Sequence, residues 1–248
     1  MKAGFFPQWL RERRCASCLE PFLPERDAAG AEARFLCPDC RGRLTRRTAG
    51  YCPYCGEIYA LEDAPCMPCG SCLQKLPPWS DFFFYGVHAG LLRELILRAK
   101  FGGNLPLMDF LGHILAELCE EHYSVTVKPD ALVPVPLHTA RLRGRGFSQC
   151  YEMARAAQKI TGIRALPDLL EKFVRTPSQV EKSREERMKL EQVFRVAERV
   201  DGMRLLLFDD VCTTGATLRR AAECLLAAGA ERVEVVVLSR TPLEGKAK

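Results

Sequence analysis

Arg204-Leu-Leu-Leu-Phe-Asp209-Asp210-Val-Cys212-Thr213-Thr214-Gly215-Ala216-Thr217-Leu218 is the most informative stretch of this 248-residue chain. Leu205–Phe208 is an apolar run of strand length. Two adjacent carboxylates follow. An apolar strand cannot hold them inside a sheet without partners, so Asp209 and Asp210 are read as the strand's end. Then come two threonines, a glycine, an alanine and a third threonine, and Ala216–Ala228 has a helical pattern that Gly229 stops. Small residues let backbone N–H groups approach a ligand, hydroxyls add donors, and the helix N-terminus adds the positive end of its dipole. Together these suit a phosphate. Two carboxylates beside a phosphate cradle suit a ligand that also carries vicinal hydroxyls, and a ribose 5-phosphate fits. A Walker-type loop is excluded because no lysine follows the glycine turn.

The same alternation extends outward. Phe82–Val87, Ala131–Val135 and Val233–Leu238 read as strands, with Gln192–Ala197 as a further candidate. Leu91–Lys100, Leu107–Glu121 and Phe147–Ile160 read as helices. The first has Leu92, Leu95, Ile96 and Ala99 on one face and stops at Gly102-Gly103. Strands separated by helices predict an α/β fold, with a mostly parallel sheet covered on both faces and a ligand at the strands' carboxyl ends. Composition changes near residue 80, where Pro77-Pro78 marks a boundary. The expected division is a cysteine-rich module over 1–78 and the α/β domain over 79–248.

Nine of the thirteen cysteines fall between Cys15 and Cys72, mostly in pairs two residues apart. That clustering favours metal over disulfides in a cytosolic chain. Cys15-x₂-Cys18-x₁₈-Cys37-x₂-Cys40 matches a four-thiolate zinc spacing. A second set starts at Cys52 and Cys55, and either Cys66–Cys69 or Cys69–Cys72 can complete it. Sequential and interleaved pairing of the four knuckles both fit the spacing. Eight thiolates at four per site predict two structural zinc ions. The scattered Cys119, Cys150 and Cys224 are read as ordinary partly buried thiols. Cys212 is either packing or a thiol beside the ligand.

A net charge of +5 permits anionic ligands without indicating nucleic acid. Arg41, Arg43, Arg46 and Arg47, with Tyr51, Tyr54 and Tyr59 to stack on bases, form a candidate contact for single-stranded DNA. The apolar runs are too short to span a bilayer, and Met1–Arg14 has no signal-peptide core, so a cytoplasmic protein is expected.

Asp209–Thr217 resembles the phosphoribosyl pyrophosphate (PRPP) motif of type I phosphoribosyltransferases. The resemblance implies that Asp209 and Asp210 meet the ribose hydroxyls, that Thr213, Thr214, Gly215, Ala216 and Thr217 wrap the 5-phosphate, and that Mg²⁺ accompanies PRPP. Leu132-Val-Pro-Val-Pro136-Leu-His138-Thr-Ala-Arg141-Leu-Arg143-Gly-Arg145-Gly146-Phe147-Ser148-Gln149 narrows the likeness to the competence protein F (ComF) family, which includes the GntX proteins. Ser148 stands where that family usually has Asn. Arg141 and Arg145 are placed to neutralise pyrophosphate. Leu91–Gly102, with Lys100, resembles the family's helix ahead of the core. Arg175–Phe194, with Arg184, resembles its mobile loop. Cys69-Gly-Ser-Cys72-Leu-Gln-Lys75 resembles its cysteine string, which favours Cys69 and Cys72 as ligands. The implied fold is a type I phosphoribosyltransferase-like parallel sheet flanked by helices, with a small N-terminal zinc-ribbon-like module. The implied functions are phosphoribosyl transfer to an acceptor the sequence does not name or, alternatively, a non-enzymatic part in DNA uptake with DNA-uptake proteins as partners.

Overall fold

The structure, a computed structural model, describes residues 12–24, 31–137, 147–172 and 193–242. Its N-terminal part consists of short pieces. Strands β1 (Arg13–Arg14) and β2 (Pro21–Phe22) pair antiparallel, and helices α1 (Ala31–Phe35), α2 (Pro38–Arg43) and α3 (Gly70–Gln74) follow. The larger part begins with β3 (Asp81–Val87), α4 (Gly90–Gly102), α5 (Leu105–Tyr123) and β4 (Ala131–Pro134). It continues through α6 (Gln149–Thr161), β5 (Arg164–Ala165), β6 (Leu170–Lys172) and β7 (Phe194–Val196). It ends with β8 (Arg204–Cys212), α7 (Ala216–Ala227) and β9 (Arg232–Arg240).

Five strands form one parallel sheet in the order β3-β9-β8-β4-β5. β3, β4, β8 and β9 are dominated by apolar residues because both faces are covered. Leu206 and Phe208 point into the layer built with α4, α5 and α6. Leu205 and Leu207 point the opposite way, against α7 and the β6–β7 pair. Pro134 is tolerated in β4. Residues of a parallel strand bond alternately to either side, and Val135 N–H donates to Phe208 O, which turns Pro134's missing donor toward β5, already ended by then.

Two expectations are corrected. Asp209 and Asp210 do not end the strand: β8 runs through both to Cys212, because β9 continues beside it and pairs Arg240 with Cys212. β4 stops opposite Phe208, so β8 loses that neighbour before the carboxylates begin and they face a cleft instead of a strand. The candidate strand Gln192–Ala197 appears as β7, but it pairs antiparallel with β6 outside the main sheet. Among the described residues, no helix is long and apolar enough to cross a membrane.

Candidate functional site

At the carboxyl ends of β4, β8 and β9, a cleft of about 390 Å³ is lined by Lys100, Gln149, Cys150, Asp209, Asp210, Thr213 and Thr217, with His88, Lys172 and Thr241 on its walls. Lys100 lies near the end of α4, which Gly103 closes at φ 58°. Its Nζ stands 3.8 Å from Asp210 Oδ2. Gln149 is the first residue of α6. Ser148 caps that helix through its hydroxyl, which accepts from Tyr151 N–H, so the serine at this place has a definite task. Gln149 Nε2 donates to Asp210 Oδ2 at 3.1 Å. The next residue, Cys150, offers its thiol to Asp209 Oδ1 at 3.6 Å.

Burial and the Asp210 carboxylate push Asp209 up to about 8. Burial, then Asp210 and Asp209, hold the Cys150 thiol protonated, well above its usual range. Burial and then Arg93 lower His88, whose Nδ1 lies 2.9 Å from Ser239 Oγ. The oxygen donors Asp209 and Asp210 suit a hard divalent cation such as Mg²⁺ and also hydroxyl donors of a sugar. A protonated thiol belongs to neither set.

The turn after β8 brings small residues to the start of α7. Gly215 takes φ 78° immediately before α7, a conformation that favours glycine. Ala216 opens the helix, and its N–H donates to Thr214 Oγ1. Thr213 and Thr217 line the cleft, whereas Thr214 and Gly215 line a smaller cavity behind the loop. Cys212 is 3% exposed in the apolar layer under α7, and burial pushes its thiol up to about 11, so packing is its role. Arg141, Arg145 and Arg184, with the Arg175–Gln192 part of the expected loop, lie outside the described residues.

The eight expected metal ligands come together in two groups, Cys15/Cys18/Cys37/Cys40 and Cys52/Cys55/Cys69/Cys72, so the pairing is sequential. Cys66 is exposed and outside both. Cys18 and Cys37 Sγ are 3.7 Å apart, as are Cys55 and Cys69 Sγ. A tetrahedral zinc with bonds of about 2.3 Å needs a sulfur–sulfur edge of about 3.8 Å, so both groups fit that ion. Each has the same backbone support, Cys37 N–H to Cys15 Sγ at 3.4 Å and Cys69 N–H to Cys52 Sγ at 3.3 Å.

Of the candidate DNA-contact arginines, Arg47 serves the fold. Arg47 is buried, donates to Gly50, Tyr59 and Leu61 carbonyls and pairs with Glu62. Arg46 pairs with Glu121, and Arg43 stands 3.9 Å from Glu94. Of the tyrosines, Tyr54 is exposed and Tyr51 packs edge-on against Phe84.

Gln149, Cys150, His88 and Lys172 are site residues that sequence reasoning does not single out. Gln149 had a signal, since a polar residue opening a helix after a strand-end loop faces the strands' carboxyl ends. A lone cysteine inside a helix has none.

Residues 112–248 match the phosphoribosyl transferase domain model. The chain is 32% identical over 219 residues to the DNA utilization protein YhgH of Salmonella typhimurium, covering 83% of this chain and 90% of that protein. It is 28% identical over 222 residues to competence protein F of Haemophilus influenzae, covering 83% and 97%. It is 28% identical over 204 residues to competence protein ComFC of Bacillus subtilis, covering 78% and 79%.

Proposed function

The chain belongs to the ComF/GntX family and carries a phosphoribosyl transferase domain, and from that membership we propose that it binds PRPP with Mg²⁺ in the Asp209–Asp210 cleft. The observation that supports this most is the meeting of Lys100, Asp209, Asp210, Thr213 and Thr217 on one cleft. Asp209 and Asp210 accept hydrogen bonds from the ribose hydroxyls. Thr213–Thr217 and the first amides of α7 hold the 5-phosphate. Lys100, Arg141, Arg145 and Arg184 are assigned to the pyrophosphate.

In the transfer reaction an acceptor forms a bond to ribosyl C1 as the C1–O bond to pyrophosphate breaks. The bonding pair leaves with the pyrophosphate. Positive charge spreads over C1 and the ring oxygen, close to the two carboxylates, while the basic residues meet the departing anion. Mg²⁺, when bound, neutralises pyrophosphate charge. Residues 1–78 act as a module in which each four-cysteine group holds a structural zinc. Thiols kept for metal suit the reducing cytoplasm, where we place the protein.

A second reading is favoured by the relatives' names, DNA utilization and competence protein: the chain serves DNA uptake without turnover, and the PRPP site acts as a sensor or DNA contact. One experiment separates the two. Pyrophosphate release from PRPP is measured beside single-stranded DNA binding. Asp210→Asn is expected to abolish release and leave any DNA binding intact. Loss of both together, or of neither, contradicts that separation.

A further inference from the structure

Arg240 ends β9 and is 2% exposed. Its guanidinium donates to four backbone carbonyls. Nη1 reaches Cys212 O at 3.1 Å, Thr241 O at 2.9 Å and Thr213 O. Nε reaches Cys55 O at 3.1 Å. One buried cation therefore holds both the start of the phosphate loop and a ligand residue of the second cysteine group. Trp79 makes a second tie. Its Nε1 donates to Tyr54 O at 2.7 Å, Arg219 of α7 lies 5.7 Å from its ring centre, and a Cβ on Gly215 would stand 3.9 Å from its edge. The knuckle itself sits hard on β3, since a Cβ on Gly56 would meet the Phe82 ring at 2.3 Å. Between knuckle and loop lies a cavity of about 280 Å³ bounded by Cys55, Cys72, Thr214, Gly215, Arg219 and Arg240.

The first cysteine group has a different anchor. Arg98 of α4 donates to the Ala16 and Ser17 carbonyls, and Cys15, Cys37 and Cys40 join the apolar layer under α4 and α5. The two groups share a local design and differ in what they touch.

We propose that the Cys52/Cys55/Cys69/Cys72 group, when it holds its metal, sets the phosphate loop through Arg240 and Trp79, so that anion affinity at Thr213–Thr217 depends on that metal and not on metal at Cys15/Cys18/Cys37/Cys40. A knuckle that loses its metal loses the turn that presents the Tyr54 and Cys55 carbonyls. Arg240 then keeps its charge in a buried place with one acceptor gone, and the cheapest relief is to move, taking the Cys212–Thr213 carbonyls with it. Arg240 is a positioning residue: it acts on the ligand through the loop. Linkage makes the effect mutual, so a bound anion raises metal affinity at the second group. The ligand and metal identities rest on the function proposed above.

The test uses the zinc-loaded 248-residue chain and begins with hydrogen exchange of the amides of 209–218 and of 31–44. Cys72→Ser is expected to speed exchange of the 212–217 amides by about tenfold or more, within the usual range of coupling between sites. Cys40→Ser is expected to leave that segment unchanged and to speed 31–44 instead. Arg240→Gln is expected to reproduce the loop effect while retaining two zinc ions per chain. Unchanged loop exchange in Cys72→Ser, or an equal rise in Cys40→Ser, overturns the proposal.

A second measurement needs no variant and so survives a folding failure at Arg240. Zinc is competed from wild type to equilibrium by a chromogenic chelator over a range of concentrations, with and without ribose 5-phosphate, and freed thiols are then mapped by alkylation. Emptying the second group is expected to need about tenfold more chelator when ribose 5-phosphate is bound, and emptying the first to need the same amount. Bound ribose 5-phosphate with no difference between the groups overturns the coupling. If ribose 5-phosphate does not bind wild type, the ligand assignment fails, and hydrogen exchange alone decides whether the metal sets the loop.

Discussion

Asp209 and Asp210 are neighbours in sequence with unlike surroundings. Asp210 is 4% exposed and has both an amide donor in Gln149 and a cation in Lys100. Asp209 accepts from the Cys150 thiol and the Asp210 N–H, which lower it, but burial and then the Asp210 carboxylate outweigh them and raise it from 3.8 to about 8. A carboxyl group raised on folding favours the folded state most below its ordinary range, and that contribution is lost as pH rises through about 8. Ligand binding has the opposite sign. Ribose hydroxyls and a divalent cation favour the carboxylate, so PRPP with Mg²⁺ is expected to expel close to one proton at pH 7 and almost none well above pH 8. Titrations in two buffers of different ionisation enthalpy measure this, and Asp209→Asn should remove it. Proton release that persists unchanged in Asp209→Asn places the titration elsewhere.

The two cysteine knuckles are the same element built twice. Leu19 N–H returns to Cys15 O at 3.0 Å, and Gly56 N–H returns to Cys52 O at 2.8 Å. The returning residues take φ 67° and 68°. Glycine adopts that conformation freely; leucine is strained in it, and Leu19 is 56% exposed, so its side chain returns little by packing. Leu19→Gly is therefore expected to stabilise the chain by about 1 kcal/mol, read by thermal or denaturant unfolding of the zinc-loaded protein. A loss of stability would mean that Leu19 packs more than its exposure shows.

The α5–α6 contact gives the reverse case. Gly112 sits inside α5, where alanine normally gains about 1 kcal/mol. Here a Cβ would stand 2.6 Å from Ala156 Cβ and 2.8 Å from Met153 O. Gly112→Ala is expected to cost about 1–3 kcal/mol, and pairing it with Ala156→Gly should recover part of that. A stabilised Gly112→Ala would refute the close packing.

Elements such as these were legible in different degrees. α4, α5 and β9 follow from periodicity because each buries a long apolar face. β5 and β6 are too short to carry a period. The passage of β8 through two carboxylates depends on where β4 and β9 end, which is not a local property. Likewise the threonines and aspartates of the cleft announce themselves in one string. Arg240 and Trp79 acquire meaning only when the fold sets them against residues far away in sequence.

At the scale of the whole molecule, the two cysteine groups dock on opposite sides of one sheet. The first is sealed into the layer of α4 and α5, and the second stands behind the phosphate loop. The cleft itself is assembled from α4, α6, β8 and the loop before α7, all meeting at the carboxyl ends of parallel strands. That convergence is the basis for assigning a ribose-phosphate ligand, and it is directly measurable. Calorimetric titration of PRPP with Mg²⁺ into wild type and into the Asp209→Asn/Asp210→Asn double variant is the most direct test. Saturable binding by wild type and none by the folded variant is the predicted result. No binding by folded, zinc-loaded wild type, or equal binding by both, would contradict it.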